Sequence, residues 1–339
     1  GVIVLYYNNI EDPILLTPAK TCNKLQIITG FTDCERISTH LIKLTDGAKE
    51  NIYQRNIEIE MILGMYKGAS ITERKHQRIQ RLLSYTLPSS NMPKFSCRYI
   101  IQNKEVHSKL YIWSKDNEPQ IAFCGSANYS INAFQNRREC MTECNAKQAE
   151  HYYQSLFADS MDCLDDNIKQ NLKFIKQQKT VSEFDDPDND SYTDYNNKTP
   201  LETATISLLT ADGRIGYGSS VNWGIRQNGT KRDPNQAYIP YNSADKKPGF
   251  FPDRVNPNDK NCPIFRVITK HGGTFHMRMA QANNKALHSA ESNSILGQWI
   301  RNEMKVPSGT FITKQMLENY GKTYVTFRKY ADGTYLLDF

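Results

Sequence analysis

The sequence has no apolar run approaching the roughly 20 residues that a bilayer-spanning helix needs, so a membrane partner is not expected. Its opening stretch, Val2 to Tyr7, is apolar but short. It has no basic residues ahead of it and soon meets Glu11 and Asp12, so it reads as a strand and not a signal peptide. A cytoplasmic setting follows. A short-spaced cysteine framework of the kind a small secreted domain needs is also missing: of eight Cys in 339 residues, seven fall before residue 164. Reduced thiols are the expectation. Cys140 and Cys144 could share one face of a helix, yet no second Cys or His pair follows at zinc spacing, so neither a structural metal nor a cofactor is expected. There is no internal repeat.

What is present fits a soluble globular chain of two domains, with 39% hydrophobic and 23% charged residues. The net charge of +6 is unevenly spread. Residues 1–180 carry 23 Lys and Arg against 19 Asp and Glu, residues 181–200 carry one against six, and residues 201–339 carry 18 against 11. An acidic stretch therefore separates two basic units, which suit a polyanionic partner because each neutralised phosphate releases counterions.

The first unit alternates strand-like and helix-like patterns. Leu25–Thr32 reads as a strand and Cys34–Leu44 as a helix, with Ile37, Leu41 and Leu44 on one face. Ile57–Met65 reads as a strand, followed by a basic amphipathic helix near Ile71–Leu83 that holds Arg74, Lys75, Arg78 and Arg81. Phe95–Ile101, Leu110–Trp113 and Ile121–Cys124 add strands, and Ala146–Leu164 reads as one long helix. An α/β sheet with helical cover over 1–180 is expected. Residues 181–200, rich in Asp, Asn, Ser and Pro, read as a linker. Residues 201–339 read as a mostly β barrel or pseudobarrel: strands at Thr203–Thr210, Phe265–Thr269, Thr274–Met279 and Tyr324–Arg328, a hairpin turn at Asp332–Gly333, and helices at Ser292–Met304 and Thr313–Asn319.

One cluster carries chemistry. Cutting a phosphodiester without metal requires a nucleophile, a proton donor for the leaving oxygen and fixed donors to the phosphoryl oxygens. His107 and Lys109, two residues apart in an extended segment, point to one face. Gly125 would let backbone approach a ligand, Ser126 and Asn128 share a face and donate hydrogen bonds, and Glu139 could fix the tautomer of a histidine. His40, His76, His151, His271, His276 and His288 have no comparable neighbours, so a solvated or packed role is expected for each.

His-x-Lys followed by Gly-Ser-x-Asn resembles the phospholipase D superfamily signature, and the placement of Glu139 is similar to that of its bacterial nuclease branch. The resemblance implies that His107 attacks phosphorus to form a phosphohistidine while Lys109, Ser126 and Asn128 bind the phosphoryl oxygens. The family commonly has Asp seven residues after the motif histidine, where this chain has Ser114, and the interval to Gly125 is longer, with the turn Lys115–Pro119 taking up the excess. Asp116, Glu118 and Glu139 are the replacement carboxylates, Glu139 the preferred one. The superfamily site uses two motifs and this chain has one, so a homodimer sharing one catalytic pocket is expected.

The whole chain looks like the restriction endonucleases of the NgoFVII and CglI type, a phospholipase D nuclease domain joined to a C-terminal B3-like DNA-binding domain. The segments carrying this are Gly218–Gln227, Phe275–Leu287 and Asn293–Arg301. The resemblance makes the first two segments arms that grip the major groove. Arg reads guanine, and Asn and Gln read adenine. The expected DNA contacts are Arg214, Ser219, Ser220, Asn222, Trp223, Arg226 and Gln227 in one arm and Arg278, Gln281, Asn283, Asn284 and Lys285 in the other. Trp223 equally suits a buried anchor. The expected function is a type II-like, sequence-specific cutter of double-stranded DNA, with a separate ATP-dependent translocase subunit as a partner that some relatives use. The alternatives are a phospholipid phosphodiesterase and a DNA-binding protein that has lost catalysis.

Overall fold

Five consecutive buried residues in Lys24–Thr29 give the near-continuous apolar pattern of a strand covered on both faces. In the computed structural model, which describes residues 4–84, 92–175, 192–228, 232–253, 262–270 and 273–339, the chain divides into units Gly1–Asn189 and Asp190–Phe339. The first unit holds strands β1 (Leu5–Tyr6), β2 (Lys24–Thr29), β3 (Glu58–Leu63), β4 (Ile71–Thr72), β5 (Lys94–Ile100), β6 (Leu110–Lys115), β7 (Glu118–Gly125), β8 (Met141–Cys144), β9 (Ser160–Asp162) and β10 (Phe174–Ile175). Its helices are α1 (Cys34–Lys49), α2 (Tyr66–Ala69), α3 (Glu73–Ser84), α4 (Ala146–Ser155) and α5 (Ile168–Asn171).

Eight strands form one sheet in the order β1-β8-β7-β6-β2-β3-β5-β9, and β10 pairs separately with β4. β2, β3 and β5 run parallel, while β6 runs antiparallel to β2 and β7 antiparallel to β6. This mixture decides where a site can form. The C-terminal ends of β2 and β3, the start of β6 and the end of β7 all meet at one end of the sheet, because Ile28 pairs with Leu110 and Leu110 with Cys124. Helices cover both faces. Ile37 and Leu41 of α1 and Ile79 of α3 pack in one core cluster, and Ala149 and Tyr153 of α4 in another.

α1 starts where Asp33 accepts a hydrogen bond from the Arg36 backbone N–H at 2.6 Å, an N-cap. α4 begins at the Asn145 cap but stops at Ser155, well short of the long helix that its spacing predicts. Arg98 explains the stop. Its guanidinium donates to Ser160 Oγ (2.8 Å) and Ser160 O (2.9 Å) and lies 4.0 Å from the Phe157 ring centroid, which turns 160–162 into edge strand β9. Cys144 lies in β8 rather than on a helix, so Cys140 and Cys144 share no helical face. α3 turns Lys75 and Arg78 inward.

The second unit contains β11 (Glu202–Ser207), β12 (Ile239–Pro240), β13 (Phe265–Thr269), β14 (Gly273–Ala280), β15 (Ala286–Ser289), β16 (Tyr324–Lys329) and β17 (Tyr335–Asp338), with α6 (Tyr192–Asn196), α7 (Ser294–Glu303) and α8 (Lys314–Tyr320). The sheet order is β11-β16-β17-β13-β14-β15-β12, and its two end strands approach each other, nearly closing a barrel. The turn between β16 and β17 uses Gly333 at φ +79°. Residues 181–191 of the acidic stretch lie outside the described residues, as does His271. Tyr195 of α6 is buried and donates to Asp332 at 2.6 Å, so the end of that stretch packs on the barrel.

Two buried histidines link fold to pH. His40 contacts the Tyr129 hydroxyl (2.8 Å) and the Leu15 carbonyl (3.0 Å), and burial, reinforced by Arg36, pushes it down to about 3. Burial likewise pushes His76 down to about 4, with Lys169 adding to it. Both are neutral when folded and take up protons near 6.5 when unfolded, so the stability they allow is present above that value and is lost as pH falls toward the folded values. Urea unfolding should show the first unit losing roughly 1 kcal/mol per pH unit for each histidine between pH 6.5 and 5. An unfolding free energy that stays level over that interval contradicts this.

Candidate active site and nucleic-acid interface

His107 and Lys109 lie in the extended lead-in to β6, and Ser126 and Asn128 in the loop leaving β7. The lead-in is pressed onto the end of β3. Val106 N–H donates to Gly64 O at 3.1 Å, and a Cβ on Gly64 would stand 1.8 Å from Val106 O, so only glycine admits this approach. Ser108 turns the other way, its hydroxyl 2.9 Å from the Tyr152 hydroxyl of α4. His107 and Lys109 therefore face the same side, with Lys109 Nζ 3.1 Å from each ring nitrogen and donating to His107 O at 2.6 Å. Burial lowers the Lys109 pKa, and Glu139 opposes that shift.

Asn128 is held by the end of β2. Its Oδ1 lies 3.1 Å from Thr29 Oγ1 and 3.4 Å from the Phe31 backbone N–H, so the amide NH2 is the end left to donate to a ligand. Thr32 pairs with Tyr129, and the Asp33 carboxylate accepts from the Ile131 N–H at 2.7 Å. Gly30 marks the meeting point: a Cβ there would lie 3.4 Å from both His107 Cδ2 and Asn128 Oδ1. His107, Lys109, Ser126, Asn128 and Glu139 all line one pocket of about 430 Å³.

Three readings of the sequence change. Gly125 serves packing rather than ligand approach, since a Cβ would stand 2.2 Å from Cys140 O. Glu139 accepts a hydrogen bond from Ser126 Oγ, not from His107, and Ser126 Oγ also accepts from Cys140 N–H at 3.0 Å. That hydroxyl is committed to its neighbours, which leaves the Lys109 ammonium and the Asn128 amide as donors lining the pocket. Asp116 accepts from Asn23 in the β6–β7 turn and Glu118 pairs with Lys115, at the far end of β6 from His107, so neither reaches the histidine. Among the described residues, no group of three or more His, Cys, Asp and Glu could hold a metal ion.

Sequence reasoning passed over Thr29, Gly30, Phe31, Tyr66, Lys75 and Arg137. All but Thr29 and Gly30 line the pocket, and those two sit beside Asn128. The signal was available for three of them: Thr29, Gly30 and Phe31 end a parallel strand, where ligands of α/β sheets bind.

In the second unit, three expected DNA contacts are turned inward. Ser220 is fully buried and donates to Leu208 O, and Arg278 is 5% exposed in β14. Asn222 is also fully buried, donating to Ile312 O (2.7 Å) and accepting from Ile312 N–H (2.9 Å). Ser220 and Asn222 thereby brace their loops from inside. Beside them, Arg301 is buried and its guanidinium donates to the Thr310, Gly297 and Val221 carbonyls, with burial lowering it to about 10. Trp223 is half-buried against Tyr238, with the Arg232 guanidinium 5.2 Å from its ring centroid. Arg214 is exposed and paired with Asp212. Ser219 bonds Gly216, Arg226 is half-buried over Gly218, and Gln227 is exposed. Gln281, Asn283 and Lys285 are exposed in the β14–β15 turn, where Asn284 donates to Asp253. An exposed Tyr217 stacked on Phe311 at 4.2 Å, unmarked by any motif, adds an aromatic face to this loop cluster.

Asn222→Ala should destabilise the second unit by about 1–3 kcal/mol for each Ile312 backbone group it orphans, while Gln227→Ala should leave its melting temperature within a degree. Differential scanning calorimetry checks both, and equal shifts would contradict the division. Gly64→Ala should cost about 1–3 kcal/mol or more through overpacking at Val106, and an unchanged melting temperature would contradict the contact.

Residues 8–170 match the NgoFVII restriction endonuclease N-terminal PLD (phospholipase D) domain, and residues 196–331 match the NgoFVII C-terminal B3-like DNA-binding domain. No curated protein matches the chain. Among solved structures, NucT from Helicobacter pylori is similar at 17% identity over 48% of this chain and 98% of that one, TM-score 0.33. Nuc from Salmonella typhimurium, described as a phospholipase D family member, is similar at 16% identity over 48% and 97%, TM-score 0.31. Neither structural likeness is close enough to carry an argument. The two domain matches, in order along the chain and each on the unit whose fold suits it, place the protein in the NgoFVII restriction endonuclease family of the phospholipase D superfamily.

Proposed function

We propose that this protein is a type II-like restriction endonuclease that hydrolyses one phosphodiester in each strand of a specific duplex DNA site, without metal, through a phosphohistidine on His107. The observation that carries this is the convergence of His107, Lys109 and Asn128 on one pocket. An imidazole nitrogen of His107 attacks phosphorus, the P–O bond breaks, and the leaving oxygen takes a proton from an acid. Water then attacks the same phosphorus, that group's conjugate base takes the water's proton, and the P–N bond breaks to restore His107. Lys109 and the Asn128 amide stabilise the charge that builds on the phosphoryl oxygens. Ser126 and Glu139 form the wall behind them, and Glu139 supports the ammonium of Lys109.

Among the described residues that line the pocket, His107 is the one imidazole. The acid is assigned to His107 of a second copy, which makes the catalytic unit a homodimer with one shared site. The B3-like unit selects the sequence through Arg226, Gln227, Gln281, Asn283 and Lys285, which its loops expose or half-expose. A separate ATP-dependent translocase, where one operates, acts on delivery of DNA and not on the bond-breaking step.

Two measurements test this. In EDTA, the wild type should convert plasmid to discrete fragments, and His107→Ala should lose at least about 10³-fold in rate, as expected when a nucleophile is removed. Cutting by His107→Ala at the wild-type rate contradicts the assignment. Light scattering should give a mass near twice 39.0 kDa. Full activity at a monomer mass contradicts the shared site.

A further inference from the structure

Two loops of the second unit are fixed to each other from inside and carry an aromatic pair on their outer side. The buried Arg301 donates to Val221 O and Thr310 O, and the buried Asn222 amide donates to Ile312 O and accepts from Ile312 N–H. Phe311 stands between the two residues, Thr310 and Ile312, that these groups hold. In the other loop, Gly218 N–H donates to Ile225 O (2.8 Å) and Asn222 O (3.2 Å), which fixes the backbone next to Tyr217. Tyr217 lies on Phe311 with ring centroids 4.2 Å apart and planes 27° from parallel.

The pair does not complete a core. Phe311 covers one face of the Tyr217 ring, yet Tyr217 is 50% exposed, the most exposed aromatic side chain among the described residues of the second unit. The surroundings suit DNA. Residues 201–339 carry 18 Lys and Arg against 11 Asp and Glu, and the unit matches a B3-like DNA-binding domain. The Arg226 guanidinium lies against Gly218, beside the ring, so close that a Cβ there would stand 2.6 Å from its Nη1. What a flat open ring face takes from a nucleic acid is the π-face of a base. Inside a duplex those faces are covered by the neighbouring bases, so the ring reaches one only where a step opens.

We infer that Tyr217, backed by Phe311, is a stacking platform for one base that leaves the helical stack when the second unit binds duplex DNA. This rests on the DNA-binding reading of that unit. The platform contributes to site choice through the ease with which a step opens, not by reading a base edge. Its rigid backing, fixed through Asn222 and Arg301, limits the entropy lost when a base settles on it.

The test uses the full chain carrying His107→Ala, which keeps the DNA whole, and random-sequence duplexes with 5-iodouracil in place of thymine. Irradiation should cross-link the peptide that holds Tyr217. The tightest-binding duplex is then selected from an unmodified pool, and each of its base pairs is replaced in turn by a mismatch. At one pair the mismatch should tighten binding several-fold, because an unpaired base leaves the stack more readily. Tyr217→Leu should abolish that gain and weaken binding of the intact duplex about tenfold, the worth of one base–aromatic stack, without lowering the melting temperature. Tyr217→Phe should retain both. Cross-links within the second unit that avoid Tyr217 overturn the platform, as does a mismatch scan with no gain or with the same gain in Tyr217→Leu. Cross-links that avoid the second unit altogether overturn its DNA-binding reading, a separate result.

Discussion

The site depends on how closely three backbone segments approach at one end of the first sheet. The lead-in to β6 rests on Gly64 with no room for a Cβ, and Gly30 lies under both the His107 ring and the Asn128 amide. The loop after β7 is tied down by Thr29, Thr32 and Asp33. Each tie is a backbone or buried hydrogen bond, which costs free energy if left unmade. The outcome is an imidazole, an ammonium and an amide fixed by the segments that carry them, with Lys109 Nζ also 3.1 Å from the His107 ring nitrogens, as a preorganised electrostatic site requires.

The second unit uses the same economy of buried polar groups for another purpose. Asn222 and Arg301 are buried side chains whose hydrogen bonds go to main-chain groups of neighbouring loops. Arg301 is a buried guanidinium that donates to three carbonyls, a dense way of fixing several segments at once. Loops braced from inside can expose Gln227, Gln281, Asn283 and Lys285 on a rigid frame, and rigid presentation limits the entropy lost on binding.

Much of this was legible in the sequence. Unbroken apolar runs such as Leu25–Thr32 marked the central strands, and the two-residue spacing of His107 and Lys109 with Ser126 and Asn128 marked the site. What was not legible depends on contacts distant in sequence. Helical spacing past Ser155 could not register that Arg98 would draw Ser160 into an edge strand. Polar composition suggested Ser220, Asn222 and Arg278 as base readers, because composition does not distinguish a polar group facing solvent from a buried one. Gly125 fell to the same ambiguity, since close approach by a ligand and by Cys140 make the same demand on sequence. Glu139 was read as the partner of His107, but the short loop carrying it delivers its carboxylate to Ser126.

The central claim is that His107 becomes covalently bonded to phosphorus, and the stereochemistry at that phosphorus tests it most directly. A DNA phosphorothioate of single configuration at the cut position, hydrolysed in 18O water, should give product with retained configuration, because two in-line displacements each invert it. Net inversion would mean that water attacks in one step, and would remove His107 as nucleophile.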